Sequence, residues 1–273
     1  MSFNNGVNFL KWALEKQGYR WAGFRKPQNQ VIKRVKSRIH ELELEGGFTE
    51  YKKYLNRNPE EWEVFDAMCD VTISRFYRDR NVWEFLKSEG VPEIVEKAGS
   101  DRVRAWSAGC CNGEEAYSIA ILFDMVCKEN ELERVEILAT DRNDDVLDRA
   151  AAGKYTSGSL KEMNKKEIET YFLNDSHSGV FQIIDRVKHM VTFEKRDIQN
   201  SLPQGMFDMV FCRNLVFTYY SYHQQVQFLD RVSSIIKKDG ILIIGDGEKT
   251  PTHAFFYKAH PKLPLYKRRE KNI

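Results

Sequence analysis

The chain has 273 residues, 42% hydrophobic and 30% charged, and Lys+Arg 42 against Asp+Glu 40 leaves a net charge of +2. This excludes a disordered chain or a small disulfide-dependent scaffold, and allows one large domain or two unequal ones with proper cores. Near-balanced charge also argues against a uniformly basic nucleic-acid coat. The cysteines at 69, 110, 111, 127 and 212 form no C-x-x-C pair, so they read as reduced thiols and no metal is expected. The start, Met1-Ser2-Phe3-Asn4, has no basic segment leading into an apolar stretch. No run approaches the roughly 18 apolar residues of a membrane span. A cytoplasmic, monomeric protein without membrane insertion is expected.

The first ninety or so residues read as helices without strands. Val7 to Gln17 forms a helix that Gly18 stops. Gln30 to Leu44 carries Val31, Ile32, Val35, Ile39 and Leu42 at helical spacing. Thr49 caps a short helix. Asn58-Pro59-Glu60-Glu61 is a helix start, with a capping Asn, an early Pro and first-turn acids. A further helix runs from about Asn81 to Ser88, ended by Gly90 and Pro92. From Gly99 on, strands alternate with helices. Strands are expected at 103–107, 135–140, 207–212 and 241–244, and helices at 114–128, 143–152 and 221–238. Such alternation predicts a doubly wound, mostly parallel α/β sheet. Residues 154–197 interrupt it as an insertion, expected to hold a small antiparallel element that includes 180–184 and 189–193. Phe255-Phe256-Tyr257 and Leu265-Tyr266-Lys267 supply last edge strands. The reading divides the chain into a helical domain, 1–90, and an α/β domain, 91–273.

The segment Trp106-Ser107-Ala108-Gly109-Cys110-Cys111-Asn112-Gly113-Glu114-Glu115 is a strand, a glycine-bearing loop and a helix start. Open α/β sheets bind ligands at such strand ends, and glycines let the backbone approach closely. The loop is neither G-x-G-x-x-G nor a phosphate-binding loop. Glu114 and Glu115 would repel a pyrophosphate and suit a ligand with a cationic end, such as S-adenosylmethionine. Asp141, 28 residues after Gly113, ends the next strand and suits both hydroxyls of a ribose. Asp197-Ile198 follows a strand-like stretch and can flank an adenine.

Four segments carry a family resemblance: Ile73-Ser74-Arg75-Phe76-Tyr77-Arg78, the run from Trp106, Ala139-Thr140-Asp141, and Phe211-Cys212-Arg213-Asn214. In this order and spacing they resemble the CheR-type methyltransferases, which use S-adenosylmethionine to methylate receptor glutamates. The resemblance spans residues 25 to 250. It implies a helical N-terminal domain and a class I methyltransferase (Rossmann-like) domain with a small inserted β-subdomain, giving S-adenosylhomocysteine as product. By resemblance, Thr72, Ser74 and Arg78 meet the cofactor, and Arg78 also meets the substrate carboxylate. Ala108, Gly109 and Gly113 form its loop, Glu114 or Glu115 holds the methionyl amine, and Asp141 the ribose. Asp197, Ile198, Asn214 and Leu215 line the adenine and methionine parts. The family reads C-R-N-x-x-x-Y-F, whereas here one inserted residue brings Tyr219 to the active-site tyrosine position, with Tyr220 in reserve. The family's G-H-S-E is replaced by Gly245-Asp246-Gly247-Glu248.

A glutamate carboxylate, with a reference pKa of about 4.3, needs no base before it attacks a methyl group. Alignment and water exclusion are then the enzyme's task, worth roughly 7–11 kcal/mol. Arg78 suits a carboxylate clamp, and Tyr219 an orienting hydroxyl. From Lys16 to His40 there are eight Lys/Arg and no acid. This stretch reads as a docking surface for an acidic partner, either RNA or an acidic helical protein, by resemblance a chemoreceptor. The basic residues at 267–271 read as a soluble tail. Alternative readings are methylation of RNA ribose or a small molecule, or a non-catalytic scaffold. Cys212-Arg213-Asn214-Leu215 stands where base amino-methylases carry N-P-P-Y or D-P-P-Y.

Overall fold

The N-terminal part is helical because its apolar residues recur three and four apart. In the computed structural model, which describes residues 3–175 and 178–270, it comprises α1 (Phe3–Lys16), α2 (Trp21–Phe24), α3 (Gln28–Glu41), α4 (Gly47–Arg57) and α5 (Glu61–Met68). The Met1-Ser2 start and Lys271 of the basic tail lie outside the described residues. These helices form one compact unit up to Val71, completed by the segment Thr218–Gln225. Val31, Ile32, Val35 and Ile39 of α3 are buried, as their spacing requires. Glu61 sits in this core and accepts from Arg38 Nε at 2.9 Å, Arg38 Nη2 at 2.8 Å and Tyr51 OH at 2.8 Å. Burial alone would raise the Glu61 carboxyl, but the hydrogen bonds from Arg38 and Tyr51 outweigh it and leave its pKa lowered. The fourth helix starts earlier than expected, at Gly47. Its cap is the Glu50 carboxylate, which accepts the Gly46 N–H at 2.7 Å, rather than Thr49.

Within the same unit, Tyr19 and Tyr220 form an antiparallel bridge. The Arg20 N–H donates to the Tyr219 carbonyl at 2.8 Å, and the Ser221 N–H to the Gly18 carbonyl at 2.7 Å. Gly23 is required here by close approach, since a Cβ would lie 2.3 Å from the Thr218 carbonyl oxygen.

The second unit runs from Thr72 to Phe217 and resumes at Val226. Its strands are β1 (Val103–Ala108), β2 (Val135–Asp141), β3 (Lys154–Thr156), β4 (Phe172–Asp175), β5 (Val180–Ile183), β6 (Val191–Lys195), β7 (Phe207–Cys212), β8 (Ile236–Ile244), β9 (Phe256–Lys258) and β10 (Leu265–Arg268). Seven form one sheet in the order β6-β2-β1-β7-β8-β10-β9. The first five of that order are parallel, and β10 is antiparallel to both neighbours. This is the doubly wound α/β arrangement that the alternation predicts. The order reverses at β1, so ligands belong at the carboxyl ends of β1 and its neighbours. The remaining three strands form the small antiparallel sheet β3-β5-β4. The helices are α6 (Arg80–Phe85), α7 (Val91–Ala98), α8 (Glu114–Val126), α9 (Glu129–Leu132), α10 (Asp144–Ala152), α11 (Lys165–Tyr171), α12 (Asp185–Lys188), α13 (Val216–Tyr219) and α14 (Tyr222–Ser233).

Several boundaries differ from the sequence expectation. Residues 72–90 pack with the sheet: Phe76, Val82, Trp83 and Leu86 are buried in its core beside Val103 and Phe211. The helix at 80 does not stop at Gly90 and Pro92. A π-helical turn, Leu86–Gly90, leads straight into α7, whose first turn tolerates Pro92. The insertion ends before 197, because β6 pairs parallel with β2 in the main sheet rather than with the small one. The helix expected to run to Lys238 ends at Ser233, where the Ser233 hydroxyl turns back to the Asp230 carbonyl at 2.6 Å. Asp239-Gly240 marks a bulge inside β8, with Asp239 at φ 61°, not a helix stop.

Candidate active site

The loop between β1 and α8 needs its glycines. Gly109 has φ 74°, and a Cβ there would lie 2.6 Å from Leu215 Cδ2. Gly113 has φ 88°, and a Cβ there would lie 2.9 Å from the Ala150 Cβ. Both positions are left-handed backbone that only glycine takes at no steric cost. Cys111, at φ 53°, shares that conformation, and its N–H donates to Asp141 Oδ2 at 3.0 Å. Asp141 Oδ1 accepts the Asn143 N–H at 3.1 Å. The carboxylate at the end of β2 therefore ties the loop after β1 to the turn before α10.

The two adjacent glutamates meet different surroundings. Glu114 is 2% exposed, with Oε1 accepting from the Ser159 hydroxyl at 3.2 Å and the Ser74 side chain hydrogen-bonding to the same carboxylate. Burial raises its pKa. The Glu115 side chain is 13% exposed, and Arg213 Nη1 lies 3.2 Å from its Oε2. Its Oε1 accepts from the Ser107 hydroxyl at 2.7 Å. Burial raises this carboxyl too, with the Arg213 charge acting against the shift. The Glu115 side chain keeps some exposure with both oxygens partnered by protein, whereas Glu114 is almost fully enclosed.

Arg213 follows β7, and its side chain is 3% exposed. Its Nη2 donates to Asp79 Oδ2 at 2.7 Å and to the Arg78 carbonyl. That carbonyl also accepts from Trp83 Nε1 at 2.8 Å, and the Arg213 guanidinium lies over the Trp83 ring at 5.6 Å. Asp79 is half-buried. Burial would raise its carboxyl, but the Arg213 charge and the Asp246 N–H prevail and hold it low. Tyr77 and Asp79 have φ 50° and 61°. Each such non-glycine residue costs roughly 1–3 kcal/mol and persists only where its surroundings hold it. Arg78 stands between them, half-buried, with Nη1 donating to the Ile73 carbonyl at 3.3 Å. No carboxylate lies within ion-pair distance of its guanidinium among the described residues.

Asn214, at φ 55°, gives its N–H to Glu248 Oε2 at 3.0 Å, and the same oxygen accepts the Gly245 N–H at 2.6 Å. Asp197 caps its own turn, accepting from the Gln199 N–H at 2.9 Å and Asn200 Nδ2 at 2.7 Å. Ile198 beside it is buried, and Thr72 and Ser74 are half-buried.

The sheet unit thus gathers Ala108, Gly109, Gly113, Glu115, Asp141, Asn214 and Leu215 at the carboxyl ends of β1, β2 and β7, with Arg78 joined through Arg213. Tyr219 and Tyr220 belong to the helical unit. Tyr220 is buried there and Tyr219 half-exposed, its ring 4.9 Å from Phe24. Sequence reasoning gave no role to Ser107, Asp79, Arg213 or Glu248. Arg213 lay inside a quoted motif, but the partners that explain it are distant in the chain.

Residues 72–262 match the family model described as CheR methyltransferase, SAM binding domain. A chemotaxis protein methyltransferase of Listeria innocua is 29% identical over 202 residues, covering 74% of this chain and 74% of that protein. One from Borreliella burgdorferi is 30% identical over 225 residues, covering 78% of this chain and 79% of its own length. Among solved structures, magnesium protoporphyrin IX methyltransferase from Synechocystis, with bound SAM, matches at a TM-score of 0.38 and 14% identity, covering 81% of this chain and 96% of that one.

Proposed function

The chain belongs to the CheR methyltransferase family, and we propose that it transfers a methyl group from S-adenosylmethionine to a glutamate side chain of a helical chemoreceptor. The cofactor supplies an activated methyl on its sulfonium. The residues fit such a group. Gly109 has no room for a side chain, Asp141 closes β2, and Glu115 offers a partly exposed carboxylate to a cationic amine. We assign the amine to Glu115 rather than Glu114, because Glu114 is enclosed. Asp141 holds the ribose, with Thr72, Ser74, Asp197, Ile198, Asn214 and Leu215 around the rest.

Arg78 carries the acceptor assignment. A half-buried guanidinium without a carboxylate partner has its remaining donors available to a carboxylate that arrives with the substrate. An ionised glutamate needs no proton acceptor, so the residues need only orient it and exclude water. We keep Tyr219 for the orienting hydroxyl, with Tyr220 in reserve; within their own unit Tyr219 is half-exposed and Tyr220 buried. The basic stretch 16–40, with Lys33 and Lys36 exposed on α3, supports docking of an acidic helical surface.

The test is tritiated methyl transfer to a chemoreceptor cytoplasmic fragment, followed by alkali. Methyl esters release volatile methanol, so alkali-labile label that disappears when the acceptor glutamates are changed to alanine is expected. Alkali-stable label would instead indicate ribose, nitrogen or small-molecule methylation.

A further inference from the structure

We propose that Arg213 is a positioning residue that fixes Arg78 for the acceptor and links it to the cofactor end of the site. This rests on the reading of Arg78 as the acceptor clamp. Arg213 does not present its guanidinium to solvent, since the side chain is 3% exposed. Its two terminal nitrogens face opposite ways. Nη1 meets Glu115 at 3.2 Å, and Nη2 meets Asp79 at 2.7 Å together with the Arg78 carbonyl.

The Arg78 turn needs such a grip, because the residues on both sides of Arg78 have positive φ. Other contacts hold it too, among them Tyr77 N–H to the Ser118 hydroxyl at 3.1 Å, Arg78 Nη1 to the Ile73 carbonyl, Trp83 Nε1 to the Arg78 carbonyl, Val82 N–H to the Asp79 carbonyl at 2.9 Å, and Asp246 N–H to Asp79 Oδ2 at 3.1 Å. Arg213 is the group that joins this turn to Glu115. A planar fork does this in a way that a lysine ammonium cannot, since it holds two acceptors in fixed directions at once. The guanidinium therefore acts through Arg78 and Glu115.

The experiment is a double-mutant cycle on the full chain with Arg213→Lys and Arg78→Ala, reading kcat and acceptor KM. Affinity for S-adenosylhomocysteine and thermal melting are measured alongside. Arg213→Lys is expected to lower kcat/KM for the acceptor by about a hundredfold, the size of effect that a misplaced reacting group produces. In the Arg78→Ala background the same change should add little, because the residue it positions is gone. Asp79→Asn, which weakens the grip on the turn and leaves Glu115 paired, should reproduce the acceptor defect with cofactor affinity retained. If Arg213→Lys costs as much without Arg78 as with it, Arg213 is a structural residue and the inference is overturned. If Arg78→Ala itself leaves acceptor kinetics unchanged, the underlying assignment of Arg78 fails instead, and the two failures are distinguishable.

Discussion

Replacing Asp141 by asparagine keeps size and polarity, yet it should disable cofactor binding. The Asp141 carboxylate accepts the Cys111 N–H at 3.0 Å on one oxygen and the Asn143 N–H at 3.1 Å on the other. An amide has one oxygen, so in either flip its NH2 faces a backbone donor. One charge-assisted bond is lost, one donor is left unsatisfied, and the charge offered to the ribose hydroxyls disappears. Bonds to charged groups contribute about 1.5–3 kcal/mol, and an unsatisfied donor costs about 1–3 kcal/mol. The loop bonds are lost from free and bound protein alike and lower stability, whereas the lost charge-assisted bonding to the ribose, about 1.5–3 kcal/mol, corresponds to a Kd weakened roughly 10- to 150-fold. Calorimetric titration with S-adenosylhomocysteine reads this directly, with circular dichroism showing that the variant is folded. A folded Asp141→Asn protein whose Kd stays within about threefold of the parent would refute the dual role.

Cofactor affinity should also depend on pH. Burial raises the Glu115 carboxyl, and a cationic amine binds only its ionised form, so affinity falls as pH drops through that raised pKa. Titrations across this range should show a slope that Glu115→Gln abolishes, and an unchanged slope in the variant would remove Glu115 from the amine site. In the helical unit, Glu61→Ala strands the buried Tyr51 hydroxyl and the Arg38 guanidinium, and should cost about 2–4 kcal/mol in denaturant unfolding. The Glu61 pKa is lowered in the fold. Its contribution is therefore present above the unfolded carboxyl pKa of about 4.3 and is lost as pH falls through the lower folded value.

The sheet was legible in the sequence because strand and helix periods alternate from Val103 to Ile244, and the strand ends pointed to where a ligand would be sought. Ambiguity remained wherever one local signal serves two structures. Asp239-Gly240 can stop a helix or form a bulge, and only pairing of Phe207 with Ile236 decides for the bulge. His189 to Phe193 has a strand pattern that says nothing of its partner, and the partner is β2. Gly90 and Pro92 signal a helix end, but a π-helical turn carries the chain through. Glu114 and Glu115 are neighbours on one helix, so their side chains diverge by about 100°. That divergence gives the two carboxyls different protein partners, Ser159 for Glu114 and Ser107 with Arg213 for Glu115, and no spacing rule could foresee them.

The electrostatics of the site follow from how Arg213 is shared. A buried Glu115 with no counter-charge would be driven toward its protonated form and lose its attraction for an amine. A bidentate arginine devoted to it alone would neutralise it just as surely. Arg213 does neither, because its second terminal nitrogen serves Asp79 and the Arg78 carbonyl. With the Arg213 charge shared between two carboxylates and Arg78 adding a smaller effect, burial still leaves the Glu115 pKa raised. Arg78 makes no ion pair among the described residues, although its charge also helps to hold Asp79 and Glu115 down. The arrangement therefore places carboxylates and guanidinium groups within a single network, as the proposed binding of a cationic amine and an acceptor carboxylate requires.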